Sequence, residues 1–176
     1  IGYESVAPDQ TWRRQMLLVS DDQYSAGTFG AVEDQNISCR HSAEGVFQDL
    51  NAECRRIILE EGGLRQSEPE LFNLSNYLPN SPADLVGLGC QQPPQVPDTC
   101  RCRRSDFQSR GQTIVKPVLM GRLNAGRLWW NFQGHANERV LTHEDIYLNM
   151  PTQKDKIYFQ NDGKLFLFTA FSCHPN

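Results

Sequence analysis

Three features of the sequence predict an α+β fold: one main helix, about residues 41–61, against a mostly antiparallel sheet, with a long proline-rich cystine loop between them. Apolar residues recur at spacings of three and four between His41 and Glu61, the helical period. An Asp-Gly pair stands between two apolar runs in a strand-rich final third. Residues 64–111 hold six of the ten prolines and three of the six cysteines, which opposes long regular structure there.

The first element is the apolar run at 15–20, Gln-Met-Leu-Leu-Val-Ser, stopped by Asp21-Asp22 and read as a buried strand. Residues 21–35 are rich in turn formers, with Gly27 and Gly30 as punctuation. The helix follows. Val46, Phe47, Leu50, Cys54, Ile57 and Ile58 share one face, and Gly62-Gly63 supplies its stop. The prolines at 69, 79, 82, 93, 94 and 97 then mark the extended, cystine-pinned excursion of 64–111. Strands are expected at 112–120, 127–133, 144–149, 156–160 and 164–171. Between the last two, Asn161-Asp162-Gly163 predicts a hairpin with a type I′ turn. The final run is apolar on both faces and so is expected at the centre of the sheet.

A chain of 176 residues fits a single extracellular domain, 1–176, able to bury a core of its own. A net charge of −4 with interspersed signs leaves no footprint for nucleic acid. No run approaches the ~18 apolar residues of a membrane span. The absence of a basic-then-apolar leader makes Ile1 read as the start of a processed chain. Six cysteines, Cys39, Cys54, Cys90, Cys100, Cys102 and Cys173, accompany two Asn-x-Ser acceptors at Asn36 and Asn73, and together they predict a secreted, disulfide-bonded glycoprotein. A zinc site is not expected, because Cys100-Arg-Cys102 has no second ligand pair at structural spacing. Six cysteines allow 15 pairings. Cys100 and Cys102 lie on one face of an extended segment, so they are expected to serve different partners.

Leu18-Val19, Gly27, Val32, Asn36-Ile37, Cys39 and Ala43 resemble the opening of endostatin and related C-type-lectin-like extracellular modules. The resemblance spans residues 18–43. It implies a C-type-lectin-like fold in a matrix or surface protein, with Cys39 matching the helix cysteine that bridges to the last strand and Cys173 as its partner. No zinc or heparin site is carried over, since the matching positions are absent.

No nucleophile elbow, phosphate loop or dinucleotide fingerprint occurs. The one dense group of titratable side chains is His135, Glu138, His143, Glu144 and Asp145, which reads first as a polar turn and second as the centre of a secreted hydrolase. Trp129 and Trp130 alternate in a strand, so one ring faces the core and the other is offered to a sugar or partner side chain. Arg101, Arg103 and Arg104 form a basic cluster suited to an acidic or sulfated partner. The expected function is therefore a non-enzymatic module that recognises an extracellular protein or glycan. A carrier of a small apolar ligand in a strand-lined cavity is the alternative. No cofactor, metal ligand or catalytic residue is assigned, and the oligomeric state is left open.

Overall fold

The computed structural model describes residues 11–21, 36–38, 45–61, 66–77, 99–101, 109–142 and 144–172, with 36–38 and 99–101 described through their backbone alone. Its centre is a four-stranded parallel sheet of β1 (Gln15–Ser20), β3 (Glu68–Asn73), β5 (Trp129–Gln133) and β8 (Leu167–Phe171), in the order β3-β1-β5-β8. Two small antiparallel pairs accompany it: β2 (Asn36–Ser38) with β4 (Thr99–Arg101), and β6 (Val140–Leu141) with β7 (Tyr147–Leu148). Helix α1 (Gly45–Glu60) lies on one face of the parallel sheet. Helix α2 (Lys116–Asn124) lies on the other.

This architecture corrects the antiparallel expectation. All of Met16, Leu17, Leu18, Val19 and Ser20 are buried, so β1 has no wet face. A strand buried on both sides needs a covering layer on each, and helical crossovers between parallel strands supply those layers. Odd-numbered Leu17 and Val19 meet Val115, Leu119 and Leu123 under α2, together with Phe72, Trp130 and Phe132. Even-numbered Met16 and Leu18 meet Ile58 under α1, with Cys54, Leu71 and Trp129 at the margin.

Helix α1 occupies most of the 41–61 span, but its inward stripe is rotated. Phe47, Asn51, Cys54 and Ile58 turn toward the sheet at spacings of four, three and four, whereas Val46, Leu50 and Ile57 are exposed. Asn51 was hidden from the apolar pattern because it is polar and yet fully buried. Inside the stretch expected to be an irregular loop, β3 forms a full strand. Pro69 is tolerated there because β3 is an edge of the sheet, where a missing amide donor is least costly. Residues 112–120 are helical rather than extended. Val115, Leu119 and Leu123 recur every four residues and all are buried, which outweighs the strand propensity of Thr113-Ile114-Val115. A π-helical turn, Gly111–Val115, opens the backbone just before Pro117, which has no N–H to donate in the first turn of α2.

The expected hairpin is also absent. Lys164 N–H does close a turn onto the Asn161 carbonyl at 2.8 Å, but positive φ occurs at Gly163 and not at Asp162, so the turn is not type I′. Residues 155–158 form a 3₁₀ turn before it. Strand β8 then pairs parallel to β5 as the second edge of the sheet, not as its centre, and Leu167, Phe168 and Phe171 are largely exposed.

Candidate active site

The strand order places a topological switch between β1 and β5. The chain leaves β1 toward β3 on one side, and leaves β5 toward β8 on the other. Crossovers that depart in opposite directions leave a crevice beyond the carboxyl ends of the two strands, where open α/β sheets place their ligands. The residues standing there are Asp21, directly after β1, and Gly134-His135, directly after β5.

Asp21 and His135 are paired. One carboxylate oxygen of Asp21, Oδ2, accepts the His135 backbone N–H at 2.9 Å and lies 3.1 Å from Nδ1 of the imidazole. A carboxylate only accepts, so this contact puts a proton on Nδ1 and makes Nε2 the nitrogen that can act as a base. Asp21 is 1% exposed, and its own N–H donates to the Gln133 carbonyl at 3.0 Å. The imidazole is about one-third exposed and can meet a substrate. Helix α1 adds an apolar wall, as the Phe47 ring stands edge-on to His135 with centroids 5.8 Å apart.

Two backbone features fix this geometry. At Gly134 an added Cβ would lie 2.4 Å from Asp21 Cβ and 2.8 Å from Oδ2, so only glycine lets the two strand ends approach. Gly134 N–H also donates to the Phe171 carbonyl at 3.2 Å, which ties the histidine loop to the end of β8. Behind the histidine, Thr142 N–H donates to the His135 carbonyl at 2.8 Å. Thr142 and Asp145 hold φ of 64° and 56°, a left-handed backbone that is costly for a β-branched threonine.

The sequence-selected residues are distributed differently from expectation. Among the described residues of the 135–145 group, only His135 reaches the crevice. Glu138 is exposed beside Arg139, Glu144 is buried against Gly111, and His143 lies outside the described residues. Trp129 is half-buried on the α1 face, with its indole N–H donated to Thr169 Oγ1 at 2.8 Å. Trp130 is buried on the opposite face among Tyr147, Phe166 and Phe168. These rings pack on one another rather than framing the expected strand-lined cavity. Arg101 and Cys100 are in β4, their side chains undescribed, and Arg103, Arg104, Cys39, Cys90, Cys102 and Cys173 lie outside the described residues. Asn36 is in β2, and Asn73 ends β3 with its Oδ1 accepting the Ser20 hydroxyl at 2.7 Å. Cys54 carries a free thiol instead of the disulfide expected of it, and burial pushes its pKa up. No cluster of metal-ligating side chains occurs among the described residues.

Asp21 went unrecognised because its partner is 114 residues away. A usable signal was present all the same. Asp21, Gly134-His135 and Ser172 each follow an apolar strand directly, and in a parallel sheet such positions gather at the carboxyl end.

A family model described as peptidase family C25 matches residues 1–176. It spans the whole of 18–43 and overturns the resemblance to endostatin and C-type-lectin-like modules, as does the parallel sheet. No curated protein and no solved structure matches the chain.

Proposed function

The chain belongs to peptidase family C25, and from that premise we propose that it is a cysteine peptidase with Cys173 as nucleophile, His135 as general base and Asp21 orienting the imidazole. Family membership replaces the reading as a non-enzymatic recognition module, and with it the carrier alternative. The observation that carries the proposal is the Asp21–His135 pair at the switch point, beside the strand that leads into Cys173.

Chain connectivity supports the choice of thiol. Phe171, the last residue of β8, is hydrogen-bonded to Gly134. Cys173 is two residues further on, which at about 3.5 Å per residue keeps it within roughly 7 Å of Phe171. Cys54, by contrast, is on the inward face of α1 with a raised pKa, the setting of an inert structural thiol.

The chemistry follows from these positions. Nε2 of His135 takes the Cys173 proton, and the thiolate attacks the carbonyl carbon of the scissile peptide bond. The C–N bond breaks as the imidazolium returns its proton to the departing amine, leaving a thioester on sulfur. Water, deprotonated by the same nitrogen, then attacks the thioester; a carboxylic acid is released and the thiol is restored. Asp21 holds Nδ1 throughout and so keeps the imidazole in one orientation.

The same reading places the protein outside the cell, a location suggested by the two Asn-x-Ser acceptors. Iodoacetamide labelling with peptide mapping, alongside hydrolysis of a peptide library, tests the assignment. Cys173 is expected to alkylate at neutral pH well ahead of Cys54, and Cys173→Ala to abolish hydrolysis. His135→Ala is expected to slow hydrolysis by about 100-fold or more. Equal labelling of the two thiols, with hydrolysis surviving Cys173→Ala, rejects the assignment.

A further inference from the structure

A chain of side-chain hydrogen bonds, half-buried at Trp129 and Thr169 and buried at Asn131 and Asn51, crosses the α1 face of the sheet. The Trp129 indole N–H donates to Thr169 Oγ1 (2.8 Å), the Thr169 hydroxyl to Asn131 Oδ1 (2.8 Å), and Asn131 Nδ2 to Asn51 Oδ1 (3.0 Å). Asn51 is 0% and Asn131 1% exposed. Every link runs in one direction, so each bond polarises the next, and at the buried asparagines an unmade link leaves a costly bare polar group.

The members hold regular positions relative to the proposed site. Asn131 is four residues before His135 on β5, and Thr169 four before Cys173 on β8. Asn51 is one helical turn from Phe47, whose ring meets His135. The polar chain thus joins the three elements that carry the site, one step below it.

Thr169 and the two rings packed on Trp130 are what distinguish the register of β8. Its local sequence, Leu165-Phe-Leu-Phe-Thr-Ala-Phe171, repeats apolar residues on both faces. A slip of two residues keeps every side chain on its own face. Such a slip would leave Trp130 only one of its two phenylalanine neighbours, with Lys164 or Ala170 in the place of the other. Leu167 and Phe171 are about 60% exposed and so contribute no tight fit to choose between registers. Thr169 is the single polar residue of the strand, and it stands opposite Asn131. In any slipped pairing Asn131 would face Leu167 or Phe171 and lose its partner.

We propose that the Asn51–Asn131–Thr169 chain is a register lock for β8, making Thr169 a positioning residue that sets the nucleophile against the histidine. It rests on the assignment of Cys173 and His135 above. A slip of two residues moves the strand by about 6.8 Å relative to β5, and shifts the start of the segment that follows it by the same distance.

The experiment measures the alkylation rate of Cys173 against pH, with thermal unfolding in parallel, for the full chain and for Thr169→Val, Thr169→Ser and Trp129→Phe. Valine keeps the volume and removes the hydroxyl; serine keeps the hydroxyl. Thr169→Val is expected to fold, to lose about tenfold or more in alkylation rate at neutral pH, and to take on the pH profile of an ordinary thiol. Thr169→Ser is expected to stay within about threefold of the parent with its pH profile retained. Trp129→Phe, which frees the hydroxyl from its outer donor, is expected to move in the same direction as valine and decides the matter if Thr169→Val does not fold. An unchanged pH profile in Thr169→Val and Trp129→Phe, while the parent shows fast labelling that His135→Ala abolishes, overturns the lock alone. If the parent itself labels as an ordinary thiol and ignores His135→Ala, the catalytic assignment falls and the lock falls with it.

Discussion

The closest approach in the site is made by a residue with no side chain. Gly134 lies between Asp21 and the imidazole it orients, and the space a methyl group would need is held by the carboxylate itself. Asp21 is fully enclosed and its backbone is bonded to Gln133, so it has no freedom to retreat. Gly134→Ala is therefore expected to push His135 out of line while leaving the sheet intact. A displacement near 1 Å costs about 100-fold in turnover. Steady-state kinetics with a circular dichroism control checks this, the expected signature being lost kcat with an unchanged spectrum. At this scale the sequence was half legible. His135 stood out among its titratable neighbours, but proximity along the chain pointed to Glu138, Glu144 and Asp145. The pairing that forms depends on which strands are adjacent, and nothing local to residues 135–145 encodes that.

Among the elements, the segment between β5 and β8 is held by an ion pair as well as by apolar packing. Lys116, in the first turn of α2, reaches the Asp155 carboxylate at 2.7 Å, and that carboxylate also accepts the Leu148 N–H of β7 at 2.7 Å. Asp155 is completely buried and Lys116 nearly so. Removing the cation strands a buried carboxylate, a loss of about 3–5 kcal/mol. Lys116→Met is thus expected to lower the unfolding free energy by that order in urea titration, even though methionine fills much of the volume. The carboxylate also bears on Tyr147, whose hydroxyl is pushed above its ordinary pKa by burial and by the Asp155 charge. Helix α1 was readable from its period, with the inward stripe misplaced by the hidden Asn51. Helix α2 was misread because Thr113-Ile114-Val115 favours extended structure, whereas the four-residue recurrence of Val115, Leu119 and Leu123 was the stronger signal.

For the whole molecule, the decisive fact is parallel pairing of strands far apart in the chain. Antiparallel and parallel sheets can share the same apolar runs, and Asn161-Asp162-Gly163 weighed toward a hairpin because a turn does form there. What distinguishes the two is burial on both faces of β1 and β5, which becomes visible only when helices are seen on either side. The same pairing has a consequence in time. Helix α1 and its neighbours can form from local contacts, but Asp21 and His135 meet only after β1 and β5 have closed over the intervening chain. Non-local pairings of this kind are slow relative to helix formation. In refolding from urea, helical ellipticity is expected to recover before hydrolysis of peptide substrate does, and coincident recovery would contradict this order. Because β8 comes last in the sheet and leads into the proposed nucleophile, a half-made chain would carry the proposed base and its carboxylate partner while still lacking the thiol that the proposed chemistry needs.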